Sequence, residues 1–230
     1  MLVIKNLQKK YQTQFLLEIA DLHIRKGEIV GLVGNNGAGK STLFKLILDI
    51  IESDSGEVYI SNIPTKLDDA WKKILGVFLD ESFLINFLTP DEYFVFINGL
   101  DESCISVEQR LAHFGLFFNN EILLKNKLIR NFSKGSQAKI GIASAFLTAP
   151  QIIILDEPFA HLDPFARNCL IKLIKYFNDV HKCTFFISSH DLDHITDVCN
   201  RIIVIEKGKI ISDTEKNFNT FNELKTYFQR

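Results

Sequence analysis

Residues 34–42, Gly34-Asn35-Asn36-Gly37-Ala38-Gly39-Lys40-Ser41-Thr42, carry the spacing G-x-x-x-x-G-K-[ST]. Glycines at these positions let backbone N–H groups, including those of Asn35, Asn36 and Ala38, turn inward around an anion without Cβ clashes. A helix starting near Lys40 would point its positive end at the same anion. Lys40 can reach the β- and γ-phosphates of a nucleotide, and the Ser41 hydroxyl can bind Mg²⁺. The chemistry implied is binding of a nucleoside triphosphate.

Three further constellations could act on that ligand. Asp156 and Glu157 follow the apolar run Ile152-Ile153-Ile154-Leu155, which puts two carboxylates at the end of a buried strand, where ligands gather in open α/β sheets. Asp156 can hold Mg²⁺, and Glu157 is suited to polarise a water for attack on the γ-phosphate. His190 ends the next apolar run, after Ser188 and Ser189. A neutral imidazole there could bond the γ-phosphate and hold the water. The segment Ser133-Lys134-Gly135-Ser136-Gln137 combines hydroxyls, a glycine and a helix start, the makings of a second anion site. The spacing His190-Asp191-Leu192-Asp193-His194 resembles a zinc helix, but Asp stands for the usual Glu and no third ligand is evident.

These residues need a scaffold. The apolar run Ile29-Val30-Gly31-Leu32-Val33 predicts a strand into the loop, and Leu43-Phe44-Lys45-Leu46-Ile47-Leu48 a helix out of it. Residues 1–30 read as strands, as do 57–60, 74–78, 152–155, 184–188 and 201–206. From about 80 to 130 the pattern turns helical. Thr89-Pro90-Asp91-Glu92 has the Thr cap, the first-position Pro and the Glu of a capping box. Helices are expected over 107–114, from 133 to the stop at Pro150, and over 164–180 and 191–199. Alternation of strands and helices after 150 indicates a parallel α/β core.

Composition limits the alternatives. The chain has 230 residues, 47% apolar and 23% charged, as in ordinary globular domains. A net charge of −2 gives no reason to expect nucleic acid as a partner. Four cysteines show no metal or redox spacing and are expected as reduced thiols. The first residues lack a secretory-leader pattern, and no uncharged apolar window approaches 18 residues, so no membrane span is expected.

Four ordered elements resemble those of ABC-type ATPases: the Walker A loop at 34–42, the signature at 133–137, Walker B at 152–157 and the switch histidine His190. The resemblance covers the chain from Leu2 to about Ile211. It implies an α/β fold: a P-loop NTPase core with a mostly parallel sheet, an N-terminal antiparallel β subdomain and a small α-helical subdomain. The implied division is a single ATP-binding domain over 1–230, with the core and β subdomain at 1–80 and 146–230 and the helical subdomain at about 81–145. It further implies that Tyr11 stacks on adenine and that Asp163 lies in the loop after Walker B. Two subunits, copies of this chain or a non-identical pair, would pack head to tail. Each ATP, with its Mg²⁺, would lie between the loop of one and the signature of the other. Hydrolysis assisted by Glu157 would drive an integral membrane subunit, with this chain cytoplasmic and peripheral on the cell membrane.

The departures carry information. The usual signature L-S-G-G-Q becomes Phe132-Ser133-Lys134-Gly135-Ser136, a variant similar to one in exporter subunits. Asp80 stands where a metal-contacting Gln is usual; it is shorter, and Glu81 is an alternative. Together these favour export. Ending soon after the core, the chain is expected to lack an added C-terminal regulatory domain. The competing expectation is an ABC-type ATPase of a non-transport machine such as iron–sulfur cluster assembly. Of the apolar residues in 81–130, Phe83 and Phe87 are candidates for exposure toward a membrane partner.

Overall fold

The computed structural model describes residues 1–11, 16–101 and 105–215. Cys104 and the stretch beyond 215 lie outside the described residues.

The elements run β1 (Leu2–Lys10), β2 (Leu16–Ile24), β3 (Ile29–Val33), α1 (Lys40–Ile47), β4 (Ser55–Ile60), β5 (Ile63–Pro64) and β6 (Leu75–Phe78). Next come α2 (Pro90–Asn98), α3 (Val107–Leu111), α4 (Gly115–Phe118) and α5 (Lys134–Ser144). The remainder is β7 (Ile152–Leu155), α6 (Pro164–His181), β8 (Thr184–Ser189), α7 (Leu192–Val198), β9 (Arg201–Glu206) and β10 (Lys209–Glu215). The fold is α/β, as expected.

The strands form one mixed sheet in the order β5-β4-β1-β2-β10-β9-β3-β8-β7-β6. Strands β9, β3, β8, β7 and β6 pair in parallel, while β1, β2, β4 and β5 pair antiparallel. The two halves meet through β10, which pairs antiparallel with β9 and touches β2 at a single rung, Lys209 with Glu18.

The central strands are buried on both faces, and period-two alternation decides which core each side chain joins. Ile153, Leu155, Phe185, Ile187 and Val204 face the helices that follow β6. Ile152, Ile154, Phe186, Ile203 and Leu32 face α1 and the antiparallel strands. Phe44 of α1 meets Phe186 edge-on at 5.0 Å, which seats the helix after the loop.

The helical segment follows its local signals closely. Thr89 caps α2 with both bonds of the capping box, to and from Glu92. Two expectations shift. The helix over 107–114 is interrupted: a 3₁₀ turn at Ala112–Phe114 leads into α4. The helix toward Pro150 stops at Ser144, where the bonds Phe146 N to Ala143 O and Leu147 N to Ser144 O tighten the chain. Strand β6 packs tightly against that stop: a Cβ on Gly76 would lie 1.8 Å from the carbonyl of Ala145.

Candidate functional site

The loop after β3 curls as its glycines require. Gly37 has φ 81° and Gly39 φ 111°, backbone that side-chain-bearing residues rarely adopt. Gly39 is the cap of α1, so the helix begins at Lys40 with its free N–H groups facing the loop. The loop is braced from behind. A Cβ on Gly34 would lie 2.4 Å from the carbonyl of Ile205, and Gly208 donates its N–H to Ala38 O at 2.8 Å. The turn between β9 and β10 therefore holds the loop's shape.

A cavity of about 400 Å³ opens over the loop, lined by Tyr11, Asn36, Gly37, Gly39, Lys40, Ser41, Thr42 and Glu157. Its size suits a nucleotide-sized ligand. Tyr11, four-tenths exposed, stands at its edge with the Lys9 ammonium 5.9 Å from the ring.

Lys40 is buried and donates to Gly34 O at 2.6 Å and to Asn35 O at 3.3 Å. Its ammonium also lies 3.2 Å from Glu157 Oε1. That oxygen has no aligned hydrogen bond, so the contact is ionic only. The other oxygen, Oε2, is 2.8 Å from His190 Nδ1 and accepts from His190 N at 3.3 Å. Glu157 has φ 47°, a strained value for a side-chain-bearing residue and of the kind found where function demands it.

Strand register produces this convergence. Leu155 pairs with Ile187 in the parallel ladder, which sets Asp156 beside Ser188 and Glu157 near His190. Ser188 is fully buried; its hydroxyl donates to Asp156 Oδ1 and accepts from Glu157 N at 2.8 Å. Sequence reasoning named Ser188 only as a neighbour of His190; a small hydroxyl residue at a buried strand end was the available signal. Asp156 also takes Phe78 O on its backbone N–H at 2.8 Å. Burial pushes the Asp156 carboxyl above its usual range; the Ser188 and Ser41 hydroxyls oppose the shift, Glu157 adds to it and Lys40 opposes it. The Ser41 hydroxyl and the Asp156 carboxylate thus lie together, two oxygen donors of the kind Mg²⁺ uses when phosphates and waters complete its shell. Among the described residues no cluster of three His, Cys, Asp or Glu could hold a metal by itself, which leaves the zinc reading of His190 and His194 without support.

Asp80 is exposed and its carboxylate caps Ser82 N at 2.7 Å. It lines a separate groove of about 180 Å³ together with Ile50, Phe83 and Leu84. Glu81 lies 3.9 Å from Lys134.

The segment 133–137 does not line the loop cavity of its own chain. Ser133 caps α5, accepting from Ser136 N at 3.2 Å, and its hydroxyl is 2.9 Å from that of Ser136. Gln137 turns back and donates to Ile129 O and Phe132 O. Gly135 packs on the backbone of His161, whose carbonyl would be 2.6 Å from a Cβ there. Asp163 caps α6 through Ala166 N at 2.9 Å, a bond that lowers its pKa. It also lies 3.7 Å from Lys139, which in turn lies 3.1 Å from Glu121. Lys139, almost fully buried, thus ties α5 to the loop before α6, a link no motif announces.

A family model described as ABC transporter matches residues 17–160 of this chain, a span that includes the loop, the capped helix α5 and both carboxylates. The chain belongs to the ABC transporter family. Among curated proteins, it is 31% identical to an uncharacterized ABC transporter ATP-binding protein of Synechocystis, over 85% of this chain and 55% of that one. It is 33% identical to the energy-coupling factor transporter ATP-binding protein EcfA1 of Ligilactobacillus salivarius, over 91% of this chain and 76% of that one. The chain thus spans little more than half the length of some curated relatives. Among solved structures, a dimeric post-hydrolysis form of the ATP-binding cassette MJ0796, bound to ADP and Pi, superposes with a TM-score of 0.81 at 27% identity, over 95% of this chain and all of that one. An ATP-binding subunit of an ABC transporter gives 0.83 at 26% identity, over all of this chain and 93% of that one. No helix among the described residues of this ABC family member is long and apolar enough to cross a membrane.

Proposed function

We propose that this chain is the ATP-hydrolysing subunit of an ABC transporter and drives a separate membrane-spanning subunit. The observation that carries the reading is the Glu157 carboxylate, held between Lys40 and His190 at the mouth of the loop cavity. When Lys40 turns to phosphate oxygens, Glu157 is released from its ion pair. It then takes the proton of a water attacking the γ-phosphate, and His190 fixes its orientation. Ser41 and Asp156 are the residues that would hold Mg²⁺, which when bound neutralises charge on the β- and γ-phosphates. Tyr11 borders the base end of the site.

The segment 133–137 serves a second subunit's ATP, either in another copy or in a paired ATPase chain. Its exposed Ser133 and Lys134 and its absence from the lining of the home cavity support that role. The functional division is a core of 1–80 with 146–230 and a helical part of about 81–145. The exposed rings of Phe83, which lines the groove at Asp80, and of Phe87 are where the membrane subunit docks on the cytoplasmic face. Export is the direction, on the strength of Lys134 in the signature and Asp80 in place of Gln.

The test is turnover and assembly. Lys40→Ala should abolish ATP hydrolysis; undiminished turnover in a clean preparation removes the loop from the mechanism. Recovery of a multi-span membrane protein with the tagged chain, and ATP-dependent efflux from vesicles holding both, would support the transport role. Recovery of soluble partners only would replace it with an assembly ATPase.

A further inference from the structure

A second cavity, of about 310 Å³, lies at the opposite end of the parallel strands from the loop. Strands β3, β7 and β8 begin at Ile29, Ile152 and Thr184, and the cavity wall is built from the residues just before those starts. Asp156, Glu157 and His190 sit at the other end of the same strands, so the two cavities do not share residues. The outer wall comes from the helical segment around α3.

The lining is two-sided in character. Phe146 and Phe177 form an aromatic floor, meeting edge-on at 4.9 Å. His113 and His181 extend it, with ring centres 5.8 and 5.2 Å from Phe177. Lys26 and Lys182 stand at the rim, and neither makes an ion pair among the described residues. Arg110, in the wall, is engaged with Asp101 and with the carbonyl of Leu147. Among the described residues that line the cavity there is no Asp or Glu. Lysines that make no ion pair among the described residues, set at the rim of an apolar, aromatic-walled cavity, attract an anion that carries an apolar or aromatic body.

We infer that this cavity binds a small organic anion, an aromatic or aliphatic carboxylate, sulfonate or phosphate of metabolite size. Its ring or chain lies on Phe146 and Phe177, and its charge faces Lys26 and Lys182. The volume fits one such molecule. Because the walls come from both the helical segment and the strand ends, a bound anion holds those two parts together.

The test uses the full chain and the dye 8-anilinonaphthalene-1-sulfonate, an aromatic sulfonate of suitable size, in saturating ADP to keep it out of the loop cavity. Fluorescence titration should show one saturable site. The double variant Lys26→Glu with Lys182→Glu should weaken the dye by at least about tenfold, as two attractive charges become repulsive. Both lysines are exposed, so the variant should fold with unchanged circular dichroism. The dye should raise the melting temperature of the parent and not of the variant. Phe83→Ser with Phe87→Ser, which changes two exposed rings that do not line this cavity, should leave dye affinity intact. Affinity that survives the charge reversals, or that vanishes with the Phe83 and Phe87 changes, overturns the inference.

Discussion

Glu157 grips His190 at two points: its Oε2 is 2.8 Å from the ring Nδ1 and also accepts the backbone N–H of the same residue. The carboxylate is thereby oriented by the residue that follows β8 while its other oxygen faces Lys40. His190→Ala should remove the orienting ring and leave the loop untouched. Steady-state kinetics should show kcat falling by about 10²-fold or more with ATP affinity nearly unchanged. A loss confined to ATP affinity would assign His190 to binding instead.

Glu157→Gln keeps the shape and removes the base. Nucleotide binding by fluorescence should persist while hydrolysis stops, and size-exclusion chromatography with ATP should show a dimer. A monomer under those conditions counts against the head-to-tail arrangement.

Much of this site was legible in the chain. The loop at 34–42 lies between an apolar strand and a helix as its spacing requires, and Thr89 makes the capping box its sequence spells. These features are local: turn chemistry, capping and buried strand runs are written in consecutive residues. Sequence order put His190 at the end of the next apolar run after that of Glu157; the register that brings the two into contact comes from the β7–β8 ladder. The hidden parts are non-local. Phe118 stacks on Phe94 and Phe114 meets Phe146 edge-on, packing that no window around α3 contains. His161 had no assigned role from sequence; its carbonyl is the surface on which Gly135 rests.

That contact makes Gly135 a steric test. Gly135→Ala would put a methyl 2.6 Å from a backbone oxygen, so the start of α5 must move away from His161. Chemical denaturation should show a loss of about 1–3 kcal/mol, the usual cost of overpacking. Gly76→Ala, against Ala145 O at 1.8 Å, should cost at least as much.

Lys139 offers an electrostatic test. It is buried while Glu121 and Asp163 are each about half exposed, so solvent weakens both pairs. Lys139→Ala should cost about 1–2 kcal/mol from lost packing and charge together. Lys139→Met should recover the packing part alone.

Cys183 gives a pH signature. Burial pushes its thiol up to about 12, against an ordinary value of 9.0. The native protein should leave Cys183 unalkylated at pH 8, while the denatured protein reacts, as read by peptide mass spectrometry. The folded-state pKa is raised, so the contribution of Cys183 to stability is complete below about pH 9. It declines as pH climbs toward 12, because only the unfolded chain then releases the proton.

The hydrogen bond from Gly208 to Ala38 has a genetic consequence. Gly208 sits at φ 79°, and a Cβ there would strike Leu16 O at 2.1 Å, so almost any replacement distorts the hairpin that backs the loop. A saturation screen scored on ATP affinity should therefore return lesions at this remote bend. Protein engineers gain in it a dial for nucleotide grip that leaves the identity of every reacting side chain unchanged.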